Sequence, residues 1–176
     1  MIRRLCLAGA GVALLAPAPL RADPLIIART TAVVADQVNL LNPRILPGST
    51  VDVSLLVTNP LANALVPVRR VVVSDPIPAT VKLRLRDYGA ANSGPVEFAD
   101  GNLLGLGLLG SGLSYGFAGL TSTGDGLEFF DGTSWAYVPV PDAAGYDANV
   151  RAIRVTLTGT HASNASFRLR YRVAVR

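Results

Sequence analysis

Residues 50–58, TVDVSLLVT, place Val51, Val53, Leu55 and Val57 on one side of an extended chain and Asp52, Ser54, Leu56 and Thr58 on the other. A period of two marks a strand with one buried face, because successive side chains leave the backbone in opposite directions. The period returns at residues 81–86, where Val81, Leu83 and Leu85 alternate with Lys82, Arg84 and Arg86. Ile153, Val155 and Leu157 alternate in the same way with Arg154, Thr156 and Thr158. The longest example is residues 166–176, SFRLRYRVAVR, with Phe167, Leu169, Tyr171, Val173 and Val175 set against Arg168, Arg170, Arg172, Ala174 and Arg176. IIARTTAVVAD, residues 26–36, predicts a first strand or two. After the first two dozen residues, no segment keeps a helical apolar period over three turns.

Between these runs stand residues that stop strands. Pro43, Pro47 and Gly48 precede the first run, and Asn59, Pro60 and Pro67 follow it. Asp131-Gly132 separates LEFF from SWAYV and predicts a hairpin turn, which needs a positive φ. In VVVSDPIP, residues 71–78, neither Pro76 nor Pro78 can donate to a ladder, so the strand is expected to end there. Asp75 is then read as a corner residue accepting a local backbone hydrogen bond. Several short strands punctuated in this way predict one all-β antiparallel sandwich of the immunoglobulin-like kind. Residues 101–126, rich in glycine and leucine, lack the spacing and framing of a phosphate-binding loop and read as a long connection. An apolar interaction loop is the functional alternative for them.

The first residues, MIRRLCLAGAGVALLAPAPLRADP, set Arg3 and Arg4 before an apolar stretch and finish on small residues and prolines. That order predicts a secretory signal peptide over residues 1–22, cleaved before Asp23, and an exported protein that is periplasmic or extracellular. The apolar stretch is shorter than the roughly 20 residues of a spanning helix, so no membrane span is expected in the mature chain. Cys6, the only cysteine, leaves with the leader, and no disulfide or thiol chemistry is expected. Arg3, Arg4 and Arg21 leave as well, so 16 basic residues against 12 acidic ones become 13 against 12, and the net charge falls from +4 to +1. The remaining 154 or so residues suit a single domain, residues 23–176.

The order of these motifs resembles a bacterial conserved repeat, the domain of unknown function number eleven. Pro47-Gly48, then Val51, Leu55, Val57 and Asn59, then VVVSDPIP, then AIRVTLTG at residues 152–159 and the closing Phe-x-Leu-x-Tyr-x-Val carry the resemblance over about residues 45–176. Val53 stands where the family commonly has an aromatic residue, and Leu61 where it has a glycine. The resemblance implies an immunoglobulin-like module of bacterial envelope or surface proteins, used as a spacer or adhesive unit, with no catalytic residues.

Candidate chemistry is sparse. His161 is the only histidine and lies in TGTHASNAS, where it reads as an exposed turn residue. A serine triad through His161 with Ser163 or Ser166 lacks a recognisable nucleophile turn. Zinc would need several Cys or His ligands, and Asp125, Glu128 and Asp131 do not follow a calcium-loop spacing. No cofactor or metal is expected. The candidate binding residues are the arginine-rich faces, Lys82, Arg84 and Arg86 on one strand and Arg168, Arg170 and Arg172 on another. On neighbouring strands they would form a patch for a polyanion or glycan; otherwise they are solvated faces whose stems cover apolar surface. Nucleic acid is not expected as a partner, given export, near-neutral charge and few aromatics. The expected role is a non-enzymatic structural or interaction module of the bacterial cell envelope, binding a protein or glycan through loops or a strand edge. A polyanion-binding module is the alternative and a secreted hydrolase the third reading.

Overall fold

The computed structural model of the chain describes residues 21–39, 41–101 and 110–176. Residues 1–20, most of the leader predicted over residues 1–22, and residues 102–109 of the glycine- and leucine-rich stretch lie outside the described residues. Twelve strands are described: β1 (Ile26–Ala35), β2 (Thr50–Thr58), β3 (Val68–Arg69), β4 (Val72–Pro76), β5 (Val81–Arg84), β6 (Val96–Asp100), β7 (Leu113–Ser114), β8 (Leu127–Phe130), β9 (Tyr146–Asp147), β10 (Ala152–Thr156), β11 (Thr158–His161) and β12 (Ser166–Val175). A short 3-10 turn at Leu61–Leu65 is the only helical element among them. The protein is all-β, and every strand pair is antiparallel.

The strands with the longest period-two patterns form the centre of the larger sheet, which runs β1-β2-β12-β5-β9 with β6 also on β12. β12 pairs with β2 along one side and, on the other, first with β6 through residues 167–171 and then with β5 through residues 173–175. Its inward residues Phe167, Leu169, Tyr171 and Val173 meet Val51, Val53, Leu55 and Val57 of β2 in one buried core. The opposing layer supplies Val73, Leu127, Phe129, Ile153 and Val155 from the three-stranded sheet β4-β10-β8. A second three-stranded sheet, β3-β11-β7, takes up where the first ends. Between the pairs Val72↔Thr156 and Arg69↔Thr160 the β10–β11 side carries three residues against two, the offset of a β-bulge. Arg70 at φ 55 and Gly159 at φ 106 absorb the resulting twist.

Two local expectations are corrected. Asp75 is not a corner: it is a buried strand residue of β4, paired with Ile153, on the inward face with Val73. The ladder reaches Pro76, and the Ile77 N–H continues beyond it by donating to the Arg151 carbonyl. Asp131-Gly132 turns the chain, with Gly132 at φ 102, but no hairpin follows. The Asp131 carboxylate instead accepts the Thr133 and Ser134 N–H groups, and Ala136 bridges Phe129 in parallel. Trp135 thereby folds back to stack on Phe130 at 5.0 Å, under the Arg154 guanidinium.

Candidate functional site

A six-stranded layer faces narrower sheets, and β1 is the strand left without a full cover. Among the described residues it pairs only with β2, in register from Ile26↔Thr58 to Val33↔Val51 before a bulge at Ala35. Both of its faces are largely open, with Ile26 59%, Ile27 55% and Val34 44% exposed. Ile27, Arg29, Thr31 and Val33 share the face on which their partners Val57, Leu55, Val53 and Val51 are buried, so these β1 residues overhang the edge of the core. The outer edge of β1 carries backbone donors and acceptors over ten residues with neither a proline nor a lysine to interrupt them.

Beside that edge the two layers leave a cleft of ≈ 160 Å³. Val51, Val53, Val81, Val173 and Val175 line it from the larger sheet, Ile77 and Pro78 from the chain between β4 and β5, and Ile45 from the β1–β2 connection. Its polar lining is Arg29, Thr31 and Tyr171. The Tyr171 hydroxyl donates to Asp75 Oδ2 at 2.5 Å, and Arg29 Nε donates to the same oxygen at 3.2 Å. Burial raises the Tyr171 pKa above its ordinary value of 10, and the Asp75 carboxylate reinforces it, so the hydroxyl stays a donor. Arg29 uses only one of the five N–H donors of its guanidinium on Asp75, and its side chain is 43% exposed. The arrangement is an apolar slot with a tethered cation at its mouth.

The sequence-predicted basic residues lie elsewhere, on the outer face of the larger sheet. β5 and β12 are neighbours, with Ala174 opposite Lys82. Arg172 stands opposite Asp52 and Arg170 opposite Glu97, and each forms an ion pair with that cross-strand partner. Tyr88 donates to Asp52, and both guanidinium groups lie over its ring. Burial opposes ionisation of Asp52, but the bonds from Arg172 and Tyr88 outweigh it and hold the carboxyl below its ordinary value. Lys82 pairs with Asp142. Arg168 lies on the same face between Leu56 and Ala99, Arg84 lies in β5, and Arg86 lies past that strand with its stem against Gly145. On this face Lys82, Arg170 and Arg172 are each paired with an acid, so it is a charge-paired ladder and not a bare basic patch.

Asp125, Glu128 and Asp131 are not gathered around a common point. Asp125 accepts the Ala118 and Leu127 N–H groups, Glu128 pairs with Arg154, and Asp131 closes its own turn. No group of three metal-ligating side chains occurs among the described residues.

His161 is a correction to the expectation of an exposed turn residue. It is 1% exposed in β11, packed on Phe167 at 5.3 Å, and neither ring nitrogen has a hydrogen-bond partner among the described residues. Its carbonyl accepts from Asn59 Nδ2, and Asn63 Nδ2 in turn donates to Asn59 Oδ1. Burial pushes the imidazole pKa below its ordinary 6.5, so the unfolded chain takes up a proton first as pH falls. Stability is then fully present above pH 6.5 and declines below it, by up to about 1.4 kcal/mol per pH unit, until the folded imidazole also titrates. Urea midpoints measured between pH 7 and 5 are expected to show this slope in the native protein and to lose it in His161→Phe. An equal slope in both proteins would refute the assignment.

The sequence does not single out Arg29 or Tyr171 as site residues. Arg29 carries a signal, since it interrupts an otherwise apolar and threonine-containing strand. Tyr171 carries none, because it fits the inward period of β12. Comparison with protein families, curated proteins and solved structures found no match for this chain. Among the described residues no helix is long and apolar enough to cross a membrane.

Proposed function

We propose that this protein is a non-enzymatic interaction module, exported to the bacterial envelope or beyond, which docks a protein partner by adding an extended segment to β1. The observation that carries the reading is the ten-residue open edge of β1, exposed on both faces and held by one neighbour. Strand addition supplies main-chain hydrogen bonds for affinity and leaves specificity to side chains on alternate positions. The leader pattern supports export. The ordered motifs from Pro47-Gly48 to β12 support an immunoglobulin-like envelope module of the domain-eleven kind. The burial of the only histidine favours a binding role over hydrolysis. The polyanion alternative is weakened by the acidic partners of Lys82, Arg170 and Arg172.

Selection of displayed random peptides on the purified protein tests the reading. Enriched peptides are expected to alternate apolar residues and to protect the amides of residues 26–35 from hydrogen exchange. Their affinity is expected to fall at least tenfold in Ala28→Lys/Ala32→Lys, because edge lysines discourage strand pairing. Failure to select any peptide, or protection confined to other strands or loops, would overturn it.

A further inference from the structure

We infer that the β1 site recognises the free C-terminus of its partner, taking a large apolar last residue into the cleft and the terminal carboxylate onto Arg29. The inference rests on the docking reading above and adds the chemistry of the partner. Three features meet at one place. The open edge of β1 accepts an extended chain, the cleft that opens beside it is apolar, and Arg29 projects from β1 itself at the rim. A space of ≈ 160 Å³ holds one benzene-sized or leucine-sized group and no more, which selects a single side chain over a long acyl tail.

Charge selects the terminus. The one cation of the cleft lining is Arg29, whose Nε is paired with Asp75 behind it while the guanidinium stays 43% exposed at the mouth. Asp75 binds Nε and fixes the guanidinium at the rim, while the terminal nitrogens retain donors in the fork geometry that suits a carboxylate. An internal segment of a partner brings a carboxylate to that fork only through an Asp or Glu side chain, and then not on the residue whose apolar side chain fills the cleft. A C-terminal leucine, isoleucine or phenylalanine brings both the carboxylate and the side chain on one residue. Thr31, the other β1 residue at the cleft, leaves room for that side chain to enter.

The test uses acetyl-Thr-Val-Thr-Val-Thr-Leu as the free acid, its C-terminal amide, and the same free acid ending in serine. The leucine free acid is expected to bind with protection of residues 26–35, and each of the other two about tenfold more weakly. Arg29→Gln is expected to abolish the difference between acid and amide, while Thr31→Phe, which fills the cleft mouth from an exposed strand, weakens the leucine peptide without lowering the melting temperature. If acid and amide bind equally and both protect β1, docking stands and terminal recognition is overturned. If no peptide protects β1, the docking reading fails and the inference fails with it. Equal competition by octanoate would assign the site to a free fatty acid, and a β1-mediated dimer that excludes peptide would assign the edge to a second copy. Either result overturns the inference.

Discussion

Asp75→Ala is expected to lower the unfolding free energy by about 3 kcal/mol, measured by urea titration of the fluorescence of Trp135, the only tryptophan. The loss is dominated by Tyr171. Its hydroxyl is buried in a residue 1% exposed and donates to Asp75, so removing the acceptor strands a polar group in the core. The Arg29 ion pair contributes less, because the guanidinium is 43% exposed and water screens it. Asp75→Asn keeps an acceptor for the hydroxyl and is expected to cost only about 1 kcal/mol. Adding Tyr171→Phe to Asp75→Ala is expected to recover part of the loss, since the stranded donor is then gone. An Asp75→Ala protein within about 0.5 kcal/mol of the native one would show that the Arg29 and Tyr171 bonds to Asp75 carry no structural weight.

Gly159→Ala is expected to destabilise by about 4 kcal/mol, for two reasons that add. The φ of 106 is one that a residue with a Cβ rarely adopts, and forcing it there costs about 1–3 kcal/mol. A Cβ at this position would also lie 2.3 Å from the Gly112 carbonyl oxygen, so β7 and β11 would have to separate. Gly124→Ala is the control, because a Cβ there meets no atom within 4 Å. It is expected to leave the urea midpoint unchanged. A Gly159→Ala midpoint equal to that of Gly124→Ala would disprove the backbone contact.

The strands of this protein were legible wherever a local rule and the tertiary structure agree. Residues 50–58 form β2 and residues 166–175 form β12 with the inward sets read from their periods. Asp75 was misread because the prolines after it were weighed above its parity. Val71, Val73, Asp75 and Ile77 are alternate residues and all are buried, so the period alone placed the carboxylate inside. His161 offered no such clue. Its burial comes from Phe167 and from Asn59, which is 102 positions earlier in the chain. β1 was legible as a strand, but its openness depends on the width of the opposing sheets, a property no single segment encodes. The cleft needed five separated parts of the chain to come together, of which only Arg29, breaking the run from Ile26 to Ala35, stood out locally.

The central place of β12 also sets when the larger sheet can close as the chain is made. β2, β5 and β6 all precede it, and each pairs with it along the sheet. Until residues 166–175 appear, those strands have no common partner, although β1 and the β4-β10-β8 layer already precede β12 in the chain. The larger sheet therefore closes only when β12, the last of its strands in chain order, is available.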